Sequence, residues 1–195
     1  MATEAQAIML AGESRRIPDK PFAGFRGREL MLHGYDILNG IFPNILIVCN
    51  KKIEPRIKEL IPESPIIFED LNIGPLGGIL EGMKNLNSEY VFVTACDMPF
   101  LNPEVIEFLC REAEKDGAVP LNSENLPEPL HAVYRREKVL ELSDLCLEGG
   151  KVTNLIERMN PKLIPAAKIK EYDSNLMTFK NINNPEDLET LENEP

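Results

Sequence analysis

Short, continuously apolar runs alternate with segments of helical spacing through the first half of the chain, and this alternation restricts the possible folds most strongly. A strand buried on both faces is apolar throughout rather than at every second residue. The alternation therefore predicts a mostly parallel sheet with helices on both faces, a three-layer α/β/α architecture. The predicted strands are 5–10, 44–49, 65–68 and 90–95, and the predicted helices are 29–40, 53–60, 75–86 and 103–116.

The second half is less regular but supplies further elements. Asn184 precedes Pro185 and is the predicted N-cap of the last helix. With 195 residues, the chain is long enough for a full three-layer core, so we expect a single domain over residues 1–195. The remaining predicted strands are 117–120, 130–134, 162–165 and 177–182, and the remaining predicted helices are 136–147, 152–159 and 185–192.

Charge and cysteine content argue against several classes of protein. A formal net charge of -11 leaves no excess of cations to contact a phosphate backbone, so nucleic acid is not an expected partner. The four cysteines are far apart and show no CxxC spacing, which argues against a zinc site or a disulfide framework. No apolar window approaches the length of a membrane span and no leader is recognised, so we expect a cytoplasmic protein without membrane contact.

Small or polar residues follow each of the first four predicted strands. Gly12 comes after the first strand, Asn50 after the second, Asp70 after the third and Asp97 after the fourth. Ligands of mostly parallel sheets lie outside the carboxyl ends of the strands. The four positions therefore predict one ligand site at this edge of the sheet.

The loop after the first strand has the composition of an anion site. Ala11-Gly12 breaks the apolar run, and Ser14, Arg16 and Lys20 follow within a few residues. Backbone N–H groups at such a turn can point at a phosphate, and Lys20 and Arg16 would balance the charge of a transferring phosphoryl group. The alternative is that Gly12 only permits the turn and that the basic side chains only solvate the loop.

Asp97, at the end of the fourth strand, is the predicted metal ligand. Magnesium takes one or two protein carboxylates and completes its shell with phosphate oxygens and water. The alternative is that Asp97 only caps the turn that follows it. Asn181 and Asn183 alternate around one residue of a predicted strand, so they point to one face and hold a ligand or metal, or else cap the next helix.

Gly77 and the two histidines carry less chemical information. Gly77 and Gly78 would let a base or ribose approach the backbone closely, or would only let a helix pack tightly. His131 lies among apolar residues and is expected to be a buried core histidine rather than a catalyst, and His33 is interpreted in the same way. No Ser-His-Asp or Cys-His arrangement is recognised.

Six ordered motifs resemble those of the MobA-like nucleotidyltransferases, and together they span nearly the whole chain. The segment LAGESRRIPDK at 10–20 is similar to the family's loop LAGGxSxRMGxxK. The others are GREL at 27–30 (family GxPLL), GPLGGI at 74–79 (GPLAGI), CDMPF at 96–100 (CDxPF), PLHAVYRR at 129–136 (PLxAVYRR) and NINNPED at 181–187 (NxNTPED).

The resemblance implies a Rossmann-like nucleotide-diphospho-sugar transferase fold and a magnesium-dependent transfer of a nucleoside monophosphate to a phosphorylated acceptor. For molybdenum cofactor guanylyltransferases, the most similar type, it implies that GTP and the molybdopterin cofactor give the guanine dinucleotide cofactor and pyrophosphate. Further partners that it suggests are molybdenum-cofactor insertion proteins or the enzymes that receive the cofactor.

By position, the resemblance also implies roles for individual residues. Arg16, Lys20 and Asp97 are the implied catalytic residues, and Asp97 holds magnesium. Lys151, Asn181 and Asn183 fall on the acceptor side. The implied nucleotide-binding residues are Leu10, Ala11, Gly12, Ser14, Lys20, Asn50, Asp70, Gly77 and Asp97.

The first loop departs from the family pattern in ways that keep other hypotheses open. It is two residues shorter between Leu10 and Lys20, Glu13 brings a carboxylate towards a triphosphate, and Pro18 lacks an N–H donor. One alternative is a non-catalytic relative that binds nucleotide or a partner protein. Another is a transferase that uses CTP or a different phosphorylated acceptor.

Overall fold

The computed structural model describes residues 5–12, 14, 16–69, 74–147 and 149–192. Strands and helices alternate along most of this length. The strands are Gln6–Ala11 (β1), Gly24–Phe25 (β2), Arg28–Glu29 (β3), Ile45–Cys49 (β4), Ile66–Phe68 (β5), Tyr90–Ala95 (β6), Gly117–Pro120 (β7), His131–Arg135 (β8) and Lys162–Ile164 (β9).

The α-helices mostly lie between the strands, and there are two 3-10 turns, Lys20–Phe22 and Met177–Phe179, in the described ranges. None of the helices in the described ranges is long and apolar enough to cross a membrane. The helices are Leu30–Asn39 (α1), Glu54–Leu60 (α2), Pro75–Lys84 (α3), Pro103–Glu112 (α4), Arg136–Glu141 (α5), Asp144–Leu147 (α6), Val152–Arg158 (α7), Ala166–Ile169 (α8) and Pro185–Glu192 (α9).

Seven strands form one sheet in the order β5-β4-β1-β6-β8-β7-β9. Strand β8 is antiparallel to both of its neighbours, β6 and β7, whereas the other paired strands of this sheet are parallel. The prediction of a mostly parallel sheet is therefore confirmed. Because β8 runs against the others, the loop before it lies at the same edge as the loops that follow β1, β4, β6, β7 and β9.

Alternate residues of the strands face two separate cores. Ala7 and Met9 of β1 pack on one face with helices α1, α2 and α4. Ile8 and Leu10 pack on the other face with helices α3, α5 and α7. Side chains of successive strand residues point to opposite faces, so the consecutive apolar residues that follow Gln6 in β1 supply both cores. The predicted three-layer architecture is confirmed.

Three predicted elements are wrong in detail. The helix that starts at Pro103 ends at Glu112, because Glu114 and Lys115 form isolated bridges to other segments. The predicted helix 136–147 is interrupted after Glu141 by a turn, and the side chains of Leu142 and Leu145 are both buried beside it.

The predicted strand 177–182 begins as a 3-10 turn instead of a strand. The Asp173 carboxylate accepts a hydrogen bond of 2.7 Å from the Thr178 N–H, which closes this turn. The chain then leaves the turn without joining the sheet and passes Asp97, whose carbonyl accepts a hydrogen bond of 2.9 Å from the Ile182 N–H. This loop conformation brings Asn183 close to Lys20 and Asp97, just beyond the end of β6.

Candidate active site

A cavity of about 400 Å³ opens at the carboxyl ends of β1, β4, β5 and β6. Residues from the first loop, from the ends of these strands and from the start of α3 contribute to its wall. The lining residues are Leu10, Ala11, Gly12, Ser14, Lys20, Val48, Cys49, Asn50, Glu69, Gly74, Pro75, Gly78, Ala95, Cys96, Asp97 and Leu130.

The first loop is held by its own serine and by a small apolar cluster. Ser14 Oγ accepts hydrogen bonds from the N–H groups of Arg16 and Ile17, at 3.2 and 3.3 Å. Ile17 is buried against Phe25 and Ile182. Gly12 is exposed and lines the cavity, and apart from its chain neighbours no atom of the described residues lies within 4 Å of where a Cβ would be. The backbone at Gly12 is thus accessible to a ligand.

Lys20 and Asp97 form an ion pair inside the cavity. Lys20 is only 6% exposed, and its Nζ contacts Asp97 Oδ2 and lies 3.5 Å from Asn183 Oδ1. The backbone of Asp19 is left-handed, with φ of 52°, and Pro21 follows in the 3-10 turn. These two local features direct the lysine inward, where it neutralises a carboxylate that also has little exposure.

The second carboxylate oxygen of Asp97 is the feature that fits a metal. Asp97 Oδ1 is buried and has no hydrogen-bond partner among the described residues. No group of three or more His, Cys, Asp or Glu side chains in the described ranges could hold a metal. A single free carboxylate oxygen suits magnesium, which draws its other ligands from phosphates and water, so the residues fit the implied ion.

Asp97 is held in place from two sides. The Cys96 N–H donates to the Leu10 carbonyl at 3.0 Å, which continues the pairing of β6 with β1 by one residue. On the other side, the Ile182 N–H donates to the Asp97 carbonyl. Asn184 Oδ1 accepts from the Asp187 N–H at 2.8 Å, which confirms its predicted role as the N-cap of α9 and fixes this segment.

Asn50, Glu69 and the start of α3 form the opposite end of the cavity. Asn50 Oδ1 accepts from the N–H groups of Lys52 and Ile53, at 3.0 and 3.2 Å, so this oxygen holds the turn after β4. At Gly78 a Cβ would lie 3.0 Å from Leu10 Cδ2. The first turn of α3 therefore packs closely on β1.

Glu69 is a cavity residue that the sequence analysis did not identify. Its Oε1 is buried and has no hydrogen-bond partner in the described part of the chain. Its N–H donates to the Cys49 carbonyl at 3.1 Å, which places it directly beyond the β4–β5 pairing. The sequence signal that could have identified Glu69 is its position directly after the predicted strand 65–68, next to Asp70.

The structure brings most, but not all, of the proposed site residues together. Leu10, Ala11, Gly12, Ser14, Lys20, Asn50 and Asp97 line the cavity, and Asn183 adjoins it through Lys20. Asp70 lies outside the described residues. Of the described residues, Arg16, Gly77, Lys151 and Asn181 do not line it.

The four residues that do not line the cavity have defined positions. Gly77 is buried next to Gly78, and Arg16 is exposed on the first loop. Asn181 Nδ2 donates to the Phe179 carbonyl at 3.2 Å. Lys151 precedes α7, and its N–H donates to Asn154 Oδ1 at 2.8 Å. Their roles in binding or catalysis remain predictions.

The thiols at the cavity are suited to packing rather than to nucleophilic attack. Burial, and then the Asp97 carboxylate, raises the pKa of Cys96 to about 12. Burial, followed by Glu54, raises the pKa of Cys49 to about 11. Nucleophilic cysteines need a lowered pKa, so neither thiol has the environment of a nucleophile.

His131 is buried as predicted, but within the described part of the chain only one of its ring nitrogens has a partner. Its Nε2 lies 3.2 Å from Thr178 Oγ1, which accepts from the Asn102 N–H at 3.1 Å, so the hydroxyl hydrogen is free to donate to the ring. Nδ1 has no hydrogen-bond partner among the described residues. Burial lowers the pKa of His131 to about 3, so the ring is neutral.

The fold is that of the nucleotide-diphospho-sugar transferases, as solved structures show. The molybdopterin-guanine dinucleotide biosynthesis protein A of Archaeoglobus fulgidus superposes with a TM-score of 0.81 at 28% identity, covering 95% of this chain and 96% of that one. A 4-diphosphocytidyl-2C-methyl-D-erythritol synthase from Anaerococcus prevotii superposes with a TM-score of 0.72 at 12% identity, covering 97% and 95%, and shows the fold alone.

The sequence then defines the family more closely. Residues 7–162 match the model of the MobA-like NTP transferase domain. The chain belongs to this family of nucleotidyltransferases, and the resemblance found in the sequence motifs is confirmed.

Curated relatives carry a more specific name. "Probable molybdenum cofactor guanylyltransferase" describes a protein of Methanosarcina acetivorans, 32% identical over 95% of this chain and 88% of the relative. It also describes one of Natronomonas pharaonis, 30% identical over 97% and 96%. A Methanosarcina mazei protein of that name is 39% identical over 64% of this chain, but the match spans only 57% of the relative's length.

Proposed function

We propose that this protein is a magnesium-dependent nucleotidyltransferase that transfers GMP from GTP to the molybdenum cofactor, giving the guanine dinucleotide cofactor and pyrophosphate. The names of its relatives support the donor and the acceptor. The chemistry is inferred from the environment of the Asp97 carboxylate. One of its oxygens contacts Lys20, and the other is buried and has no partner among the described residues.

Asp97 Oδ1 would hold magnesium, and the ion would neutralise phosphate charge during the transfer. Lys20 would exchange its contact with Asp97 for the phosphates of the nucleotide. An ammonium group that is already buried and aimed into the cavity needs little reorganisation to meet the charge that develops there. Gly12 and the loop closed by Ser14 would offer backbone N–H groups to the same phosphates.

In the proposed reaction a terminal phosphate oxygen of the acceptor attacks the α-phosphorus of GTP in line. A bond forms between these two atoms, the bond from the α-phosphorus to the bridging oxygen breaks, and pyrophosphate leaves with the electron pair. No covalent enzyme intermediate is required. Positioning and charge stabilisation are therefore the tasks of the residues around Asp97.

Glu69 favours guanine as the base that the cavity accepts. An ionised carboxylate only accepts hydrogen bonds. Guanine presents two neighbouring donors, N1–H and the 2-amino group, whereas cytosine and adenine each present a single amino group on that edge. Three strand spacings, about 14 Å, separate the ends of β6 and β5, so the base would lie by Glu69 when the phosphates lie by Asp97.

The remaining residues keep the roles that the resemblance implies. Asn183 and Asn181 would act on the acceptor side of Asp97, and Lys151 would contribute a more distant cation. Arg16 would move towards the phosphates, and Asp70 and Gly77 would serve the ribose or base. We also propose that the chain acts as one domain in the cytoplasm, with molybdenum-cofactor insertion proteins or receiving enzymes as partners.

Calorimetric titration with GTP, CTP and ATP, each with magnesium, tests the donor. We expect selective GTP binding that is lost in Lys20→Ala, and release of pyrophosphate when molybdopterin cofactor is added. Preference for CTP would indicate a cytidylyl transferase. If none of the three nucleotides binds, the proposal is contradicted. The alternative of a non-catalytic relative, which the shortened first loop supports, would then be favoured.

A further inference from the structure

A second cavity, of about 470 Å³, lies between the loop that follows β7 and the segment that follows β9. Glu124 and Glu128 line it from the first of these, and Lys170 and Lys180 from the second. Leu176 and Phe179, both largely buried, supply apolar contact area. The sequence motifs do not assign a role to this cavity.

The second cavity opens at the same edge of the sheet as the first. It lies beyond β7 and β9, whose carboxyl ends are at this edge. Glu128 lines the second cavity and Leu130 the first, so at most about 7 Å of chain separates the two walls. Lys180 is likewise only three residues from Asn183, whose amide oxygen faces Lys20.

Both walls of the second cavity are held by hydrogen bonds within the protein. Asn122 Oδ1 accepts from the N–H groups of Glu124 and Leu126, at 2.9 and 3.1 Å, which shapes the loop. On the other wall, Thr178 joins the Asn102 N–H and the buried ring of His131. A cavity with fixed walls can bind a small molecule without a large ordering cost.

The charges in the second cavity are arranged on opposite walls. Lys170 and Lys180 are exposed and form no ion pair with any described residue. Lys168, two residues before the cavity's Lys170, is by contrast paired with Glu171 at 2.9 Å. Glu128 is half-buried, and its Oε1 accepts from Asn122 Nδ2 at 2.9 Å. The cavity thus offers two free cations on one side and carboxylates on the other.

We infer that the second cavity binds the acceptor, with the carboxylate wall receiving the N–H donors of a pterin ring and the lysines receiving anionic groups of the same molecule. This inference rests on the proposed function, since it places the acceptor of that reaction. The ring's amino and N–H groups match acceptor-only carboxylates, and the phosphate arm would pass Lys180 towards Asp97. The short distance along the chain between the cavities lets one molecule reach both.

Binding of molybdopterin, followed by its own fluorescence in the absence of GTP, tests this placement. We expect Lys170→Ala and Lys180→Ala each to weaken molybdopterin binding on the order of tenfold and to leave GTP affinity unchanged. Lys168→Ala is the matched control, because that lysine is close in sequence, exposed and already paired. Circular dichroism checks that each variant is folded.

Three outcomes separate the possibilities. Weaker molybdopterin binding in both lysine variants, with an unchanged control, supports the placement. Equal binding by wild type and the double lysine variant would overturn the placement and leave the proposed transferase intact. Failure of the wild type to bind molybdopterin, with GTP binding retained, would overturn the proposed acceptor together with this inference.

Discussion

Lys20 and Asp97, 77 residues apart in the chain, form an ion pair in which both side chains have little exposure. The pair lies where nucleotide and magnesium are proposed to bind. Without these ligands, the charge of the proposed metal ligand Asp97 is neutralised by Lys20. We therefore expect magnesium to bind tightly only together with a triphosphate, which gives Lys20 a new partner.

Lys20→Met should reduce the free energy of unfolding by about 3 kcal/mol, because it leaves a carboxylate of low exposure without its cation. Urea unfolding measures this loss. Lys20→Met combined with Asp97→Asn should recover most of the stability, since neither charge then remains. A double variant as unstable as Lys20→Met alone would contradict the ion pair as the cause.

Asp97→Asn should lower the rate of pyrophosphate release about a hundredfold or more, the usual effect of removing one group that stabilises transition-state charge. The dependence of GTP affinity on magnesium concentration should also flatten, because the amide is a weaker ligand than a carboxylate. Asp36→Asn is the control, since that exposed carboxylate of α1 pairs with Arg28 of β3 and lies outside the cavity lining. Unchanged turnover in Asp97→Asn would remove the metal assignment.

Glu69→Gln should change which purine the protein prefers. The amide offers a donor in place of an acceptor, so affinity for GTP should fall about tenfold. Affinity for xanthosine triphosphate should rise, because that base carries a carbonyl where guanine has its 2-amino group. Calorimetry with both nucleotides measures the exchange, and Glu63→Gln, on the exposed turn after α2, serves as the control. The same preference in both variants would show that Glu69 does not contact the base.

His131 should make stability depend on pH. Its pKa in the folded protein is lowered to about 3 by burial, so the unfolded chain takes up a proton first as pH falls below about 6.5. The contribution of neutral His131 to the free energy of unfolding is therefore complete above about pH 6.5. As pH falls from 6 to 4, the free energy of unfolding decreases by about 1.4 kcal/mol per pH unit. Urea unfolding across this range should show a shallower slope for His131→Gln than for wild type.

The parallel core was predictable because its strands are encoded locally. The run YVFVTA at Tyr90–Ala95 is apolar or β-branched at almost every position, and β1 is apolar on both faces. Strand direction is not encoded in this way, so the reversal of β8 could not be predicted from its residues. The composition of the strand His131–Arg135 is compatible with parallel and with antiparallel pairing.

Site residues that directly follow a strand were predictable from the sequence. Contacts between segments that are distant in the sequence were less so. Gly12, Asn50 and Asp97 all come directly after strands, and each lines the cavity. The contact of Lys20 with Asp97 joins distant segments, and only the family motif related them. The prediction of a strand at 177–182 is wrong because the Asp173 carboxylate, which lies before this segment, closes its start into a 3-10 turn.

The reversed strand β8 has a consequence for how such a protein can diversify. The first cavity is built mainly by the loops at the ends of β1, β4, β5 and β6, with Leu130 from the loop before β8, and the second is built by the segments that follow β7 and β9. The proposed placement of the acceptor implies that changes in residues 122–128 and 170–180 would alter acceptor binding without touching Gly12, Asn50 or Glu69. Substitutions more than about 10 Å apart, with no shared partners, usually have additive effects on free energy. The strand order would thus place nucleotide preference and acceptor preference in separate loops, so that evolution, or an engineer, can change one of them at a time.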